Sequence, residues 1–308
     1  MYHSKTTEVA KGRWRGILMT LGMPDTFLQN NHGPCPLCGG KDRFRWDNKE
    51  GSGSFICGQC GAGDGMELAK KYTNSSFIEI AGRIDEILSN IKPKLDGPQH
   101  QRRDMSEDQI RDHLRHAYSC SAPVIKGDPV DIYLVARGIH EHVYPTSLRF
   151  AAQMKNGEGG LSDCMLAIVS GPDGKAASMH RTFIADGKKA LISAPRKMMP
   201  GKMVDGGCVR LTDVCEHIGL AEGIETSMSA CNRFDLPVWA ALNTSMMQGW
   251  IAPEEVKIVT IFGDNDTNFA GHKAAYALAH RLALTGIEVD VVMPPDVGDW
   301  NDVINKSK

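Results

Sequence analysis

Apolar residues follow three rhythms along this chain. In its last third they come as short, mainly apolar runs, 217–221, 238–242, 256–262 and 287–292, each followed within two residues by a glycine, proline or polar residue. Runs of that length bounded by turn residues read as buried strands. The stretches between them, 224–234 and 270–284, have helical spacing. In the second, Ala274, Ala277, Leu278 and Leu282 share one face and Gly286 ends the helix. Alternating strands and helices predict an α/β unit with a mainly parallel sheet. The second rhythm begins at Ser147. Expected strands at 148–150, 164–170, 177–184 and 209–211 are separated by turns at 171–174 and 186–187, which predicts an antiparallel sheet. The third rhythm, nearer the start, is one of short helices: 11–21, 65–72, 77–91, 106–119 and 131–136.

Among those first helices lie two Cys-x₂-Cys knuckles, Cys35/Cys38 and Cys57/Cys60, with eighteen residues between them. Each is followed by glycine, which lets backbone amides turn towards the thiolates. That spacing predicts one structural Cys₄ zinc site per chain, on a small β-ribbon. His32 is nearby, but four thiolates already complete a tetrahedron, so it reads as a loop residue. Alternation puts Phe44 and Trp46 on one face of the ribbon and Arg43 and Arg45 on the other. The aromatics are expected to cover the zinc core and the arginines to meet nucleic acid. So small a ribbon is expected to have too little core to fold without its metal.

Carboxylates mark the ends of two of the late strands. Glu222 closes the first, and Asp264 and Asp266 follow Gly263 at the end of the third. The carboxyl ends of parallel strands converge on one crevice, so the three acids can meet there. Hard oxygen ligands suit Mg²⁺ or Mn²⁺. Gly-Asp-Asn-Asp is also an ordinary turn, in which Asp266, Thr267 or Asn268 would cap the following helix. Asp302 could add a further ligand, or Asp299 could simply cap the last helix.

Composition narrows the classes. The 308 residues carry a formal charge of −2, with 42% hydrophobic and 23% charged residues, ordinary values for a soluble protein. A nearly neutral chain does not coat nucleic acid indiscriminately, so any contact must come from local basic patches. Residues 1–71 hold ten Lys/Arg against seven Asp/Glu, and the antiparallel region adds Arg181, Arg196, Lys197, Lys202 and Arg210. Nine cysteines without a signal peptide or a membrane-length apolar run point to metal ligation or buried thiols in the cytoplasm. The prolines, glycine and charges of 92–108 read as a linker.

The phrases Gly219-Leu-Ala-Glu-Gly-Ile-Glu-Thr226, Trp239-Ala-Ala-Leu242, Gly263-Asp-Asn-Asp266 and Gly298-Asp-Trp-Asn-Asp302 resemble the TOPRIM domain of primases from phages, plasmids and integrated elements, over roughly residues 215–305. The knuckle region through Gly65 is similar to the zinc-ribbon domain of phage primase-helicases. Together the resemblances imply a multidomain α+β and α/β protein. Its expected parts are a zinc ribbon at 1–91, the linker, an antiparallel basic part of the primase core at 109–213 and a TOPRIM domain at 214–308. They imply a DNA-dependent primase that makes short RNA primers on single-stranded DNA from ribonucleoside triphosphates. Glu222, Asp264 and Asp266 would hold catalytic Mg²⁺ or Mn²⁺, or Glu222 would act as general acid/base, and Arg181, Lys197 and Arg210 would hold template and nucleotides. No Gly-x₄-Gly-Lys-Ser/Thr phosphate loop occurs, so a replicative helicase is expected in trans. A metal-dependent nuclease and a non-catalytic single-stranded-DNA-binding replication accessory are the alternatives.

Overall fold

The computed structural model describes residues 3–90, 105–201 and 204–306. The chain divides into two compact units, Met1–Asp104 and Met105–Lys308. Most of the expected linker at 92–108, and Lys202, lie outside the described residues.

The first unit runs α1 (His3–Ala10), α2 (Trp14–Thr20), β1 (Phe44–Trp46), β2 (Phe55–Cys57), β3 (Gly61–Gly63), α3 (Gly65–Thr73) and α4 (Phe77–Asn90). The strands form an antiparallel ribbon, with Phe44 opposite Cys57 and Trp46 opposite Phe55. Alternation works as expected: Phe44 and Trp46 are buried and Arg45 between them is half-buried. The core under them is larger than a lone ribbon provides. Trp14, Ile17 and Leu18 of α2, Met66 and Leu68 of α3, and Ile80 and Ile84 of α4 join Phe44, Trp46 and Phe55 in one cluster. The helices therefore supply the apolar surface that the ribbon sequence lacks, and zinc is not the sole support of this unit.

In the second unit a capping box, Ser106 with Gln109, starts α5 (Glu107–Ser119). Then come β4 (Ala122–Pro123) and α6 (Pro129–Ala136), which Asp128 caps and Pro129 begins. Strands β5 (Leu148–Lys155), β6 (Leu161–Ser170), β7 (Ala176–Ala185), β8 (Lys188–Lys189) and β9 (Arg196–Met198) complete a six-stranded sheet with β4. Its order is β4-β5-β6-β7-β8, and β9 also pairs with β7. Residues 209–211 do not form the expected strand. Instead Cys208 bridges to Ser170 of β6 and Val209 to the following parallel sheet at Ala240.

That sheet comprises β10 (His217–Ala221), β11 (Val238–Ala240), β12 (Ile258–Phe262) and β13 (Glu288–Val292), all parallel in the order β11-β10-β12-β13. Its helices are α7 (Ile224–Phe234), α8 (Thr244–Gly249), α9 (Ala270–Ala283) and α10 (Trp300–Lys306). The buried face of α9 holds Ala274, Ala275, Leu278 and Leu282, while Ala277 faces outward. Three of the four expected positions thus lie in the buried stripe, with Ala275 in place of Ala277. Trp300 stacks edge-on against Phe262 and Phe234, which fixes α10 to the end of β12. Among the described residues no helix is long and apolar enough to cross a membrane.

In the first unit, Gly65 opens α3 directly beneath the ring of Trp14, where an added Cβ would lie 2.2 Å from Cδ2. Alanine at a helix position ordinarily gains about 1 kcal/mol over glycine. Here the buried indole cannot retreat, and overpacking costs about 1–3 kcal/mol. Gly65→Ala is therefore expected to lower the thermal midpoint of the first unit, and scanning calorimetry of the variant checks it. An unchanged or raised midpoint would mean that Trp14 yields.

Candidate metal centres and acidic crevice

The knuckle sulfurs meet because β1 pairs with β2 while each Cys-x₂-Cys turn folds its amides inward. The Cys35 sulfur accepts from the Leu37 amide at 3.4 Å, and the Cys57 sulfur from the Cys60 amide at 3.4 Å. All four sulfurs lie within 4.8 Å of one another. Cys35 and Cys60 are separated by 3.8 Å and Cys38 and Cys57 by 3.9 Å. Thiolates about 2.3 Å from a tetrahedral zinc would be about 3.8 Å apart, so the quartet fits structural zinc. The protonation pattern agrees. Contact with its neighbours holds Cys57 down as a thiolate to about 2, while the same contacts push the Cys35 thiol up to about 11 and Cys60 higher still. Four packed thiolates need a cation to coexist.

In the second unit, β10 ends at Ala221 and β12 at Phe262, in register. Glu222 therefore leaves β10 level with Gly263, one residue before Asp264 on the adjacent parallel strand. The Leu242 amide donates to the Glu222 carbonyl at 2.7 Å, fixing the backbone there. Asp264 has its Oδ1 buried with no hydrogen-bond partner. Burial, then the charges of Glu222, Asp299 and Asp266, push its carboxyl up to about 8, against a smaller opposing pull from Arg196. Asp266 is exposed, and its Oδ2 accepts from the Gly271 amide at 3.2 Å. Gly271 is required by close approach, since a Cβ there would lie 2.2 Å from the Asp264 carbonyl oxygen. Asp302 and Asp299 cap each other's amides at 3.2 and 3.0 Å. Of this pair, Asp299 is the one whose charge acts on Asp264.

These acids do not form the tight cluster that the sulfurs do; among the described residues only the cysteine quartet is so close. A looser set suits Mg²⁺, which keeps several waters and takes one or two carboxylates plus substrate phosphates. The orphaned, buried Asp264 oxygen is what a cation would satisfy.

Two buried side chains near the crevice were not singled out by the sequence alone. Glu225, one helical turn after Glu222, is 5% exposed. Burial alone would raise its carboxyl, but Lys189, 3.1 Å away, and the hydroxyl of Tyr133 hold it down to about 2. An acid in a helix's first turn ordinarily reads as a dipole partner, which concealed it. His180 is buried, with Nδ1 unpartnered, and burial followed by the nearby Arg196 lowers it to about 4.

Register sorts the basic residues. Thr182 pairs with Arg196 and Arg181 with Lys197, so Arg196 shares a face with His180 while Arg181 and Lys197 share the other. The Arg196 face looks towards Asp264. On the opposite face, Arg181 donates to the Met198 carbonyl at 3.1 Å and lies over Phe183. Lys197 donates to the Asn156 carbonyl at 3.4 Å. Arg210 donates to the Gly171 and Pro172 carbonyls and covers the Trp239 ring. On the ribbon, Arg43 is exposed and bonded to Gln59, and Arg45 pairs with Asp47 at 3.5 Å.

Comparison with known proteins agrees with this architecture. Residues 217–307 match the family model of the Toprim domain, 30–66 that of the zinc-binding domain of primase-helicase, and 108–211 a domain of unknown function (DUF7146). Among solved structures, the zinc-binding and RNA polymerase domains of Aquifex aeolicus primase are similar at 17% identity and TM-score 0.44, over 98% of this chain and 82% of that one. The primase fragment of the bacteriophage T7 primase-helicase protein is similar at 15% identity and TM-score 0.41, over 90% and 95%. With TM-scores below 0.5, these likenesses add nothing to what the family models show.

Cys57→Ser is expected to release zinc and loosen the ribbon around Phe44 and Phe55, while the second unit stays folded. Metal analysis with calorimetry of both transitions checks this. Freshly purified native protein without zinc would overturn the assignment.

Proposed function

We propose that this chain is a DNA-dependent primase that joins ribonucleotides on a single-stranded DNA template. The observation that carries the reading is the acidic crevice at the carboxyl edge of the Toprim sheet, with the orphaned oxygen of Asp264 at its centre. A zinc ribbon of the primase-helicase type in the same chain favours primer synthesis over nuclease chemistry.

In this reading Glu222, Asp264 and Asp266 would hold Mg²⁺ or Mn²⁺, with Asp302 as a further candidate ligand. One such ion would lower the pKa of the attacking 3′-hydroxyl, and a second would stabilise charge on the leaving pyrophosphate. In the alternative, Glu222 would act as general acid/base towards that hydroxyl instead of holding an ion. Arg196 faces the acids and is assigned to the nucleotide phosphates. Arg181, Lys197 and Arg210 retain free donors after their internal bonds and are assigned to the template backbone. Arg43 and Arg45 carry the ribbon's contacts with single-stranded DNA.

Asp264→Asn tests chemistry apart from binding. It replaces a carboxyl that keeps its proton up to about 8 by an uncharged amide of the same shape, so folding is expected to survive. Primer synthesis from labelled ribonucleotides on single-stranded DNA is expected to fall by a factor on the order of 10² or more, since the transition-state charge loses its clamp. Template affinity should stay within about twofold, whereas Arg43→Ala should weaken it and leave zinc content unchanged. Template-dependent primers made at the native rate by Asp264→Asn would remove the metal assignment.

A second expectation concerns unwinding. The sequence holds no phosphate-binding loop, so the protein with ATP should displace no strand from a forked duplex, and a separate helicase would supply the template. A gel-based displacement assay checks this, and ATP-dependent unwinding by the protein alone would contradict it.

A further inference from the structure

Phe269 stands out on the loop that follows the acids. It is a large apolar side chain left 67% exposed. Its backbone is left-handed, with φ of 57°, a region that bulky residues seldom occupy. It also opens α9 without a side-chain cap. Neither burial nor backbone preference explains phenylalanine here. Glycine or asparagine would relieve the backbone, and any polar residue would suit the exposure.

The loop nonetheless holds the ring in one place. The Phe269 amide donates to the Asp266 carbonyl at 3.0 Å, and its own carbonyl accepts from the Lys273 amide at 2.9 Å. The Asn268 side chain accepts from the Ala270 amide at 3.1 Å. The ring packs edge-on against His272, with centroids 5.3 Å apart. One face of a rigid aromatic ring is thus presented to solvent three residues from Asp266. Strain of this kind persists where the surrounding structure over-determines it, and it clusters at ligand sites.

Resting on the nucleotidyl-transfer reading above, we propose that Phe269 is a stacking platform for a nucleobase. Phosphates drawn to the acids through a bound cation bring a flat, weakly hydrated ring into the same neighbourhood. Stacking on an aromatic side chain serves every base alike, because each has a π-face. The base belongs either to an incoming nucleotide or to the template strand, and the chemistry of the contact is the same.

The experiment compares ligands with and without a base on the native protein and on Phe269→Leu, which keeps the apolar bulk and lacks the π-face. One pair is ATP against ribose 5-triphosphate, both with Mg²⁺. The other is a short single-stranded DNA against the same strand carrying abasic sites. The native protein is expected to prefer the base-bearing member of at least one pair by roughly 10- to 100-fold in Kd. Phe269→Leu is expected to lose that preference at unchanged thermal stability. Loss in the first pair assigns the base to the nucleotide, and loss in the second assigns it to the template. The inference is overturned if Phe269→Leu keeps the full preference in both pairs, or if the native protein shows none. Because the readout is binding, failure of the two proposals is separable. A base preference lost in Phe269→Leu, in a protein that makes no primers, removes the primase reading alone. Primer synthesis that depends on Asp264, with no such preference, removes the stacking alone.

Discussion

Burial of a carboxyl among other acids is the constraint around which the sheet edge of the second unit is built. Desolvation, and then the charges of Glu222, Asp299 and Asp266, hold the Asp264 proton up to about 8. A fold under no other demand would turn such a side chain outwards or pair it with a base. Here parallel register brings β10 and β12 to the same level, and close approach at Gly271 seats α9 against Asp264. The aromatic trio Phe234, Phe262 and Trp300 then fixes α10, and Asp299 with it, at the same edge. Glu225 could have added a further charge from below. Lys189 and Tyr133 compensate it instead, and so join α7 to β8 and α6.

The first unit solves a related problem with the opposite chemistry. Its sulfurs are as close as ligands of one ion can be, and thiolates that close cannot all exist without a cation. The difference lies in where the apolar surface comes from. Three-residue strands bury too little to hold the knuckles, so α2, α3 and α4 close over Phe44, Trp46 and Phe55. Trp14 joins helix to ribbon, and the glycines at 53 and 65 make room for its ring. The metal then fixes loop geometry on a scaffold that already has a core.

Several parts of this arrangement were legible in the sequence because one local signal dominates each. Knuckle spacing specified the zinc quartet. Mainly apolar runs ending at Gly263 or Glu222 marked β12 and β10, since strands buried on both faces show little polar alternation. Other parts depend on tertiary pairing. The strand expected at 209–211 became two isolated bridges because Cys208 and Val209 face different sheets. The stripe on α9 shifted from Ala277 to Ala275, because alanine suits either side of a helix and only the neighbouring sheet decides. Glu225 and His180 looked like ordinary surface residues, since nothing local reveals the Lys189 and Tyr133 that meet one or the Arg196 that faces the other.

The basic residues carry this lesson furthest. Arg196 and Lys197 are adjacent and chemically similar, so composition cannot rank them. Pairing of β9 with β7 does so: Thr182 opposite Arg196 turns that arginine towards His180 and the acids, while Lys197 goes with Arg181 to the far side. Strand periodicity makes the outcome binary, because a slip of one residue would exchange the two faces entirely. Met198 packs against the core of Ile224 and Met228, and Met199, just past the strand, lies in the one with Phe183, so one methionine anchors each face. Register on a three-residue strand therefore decides which cation lies on the side of His180.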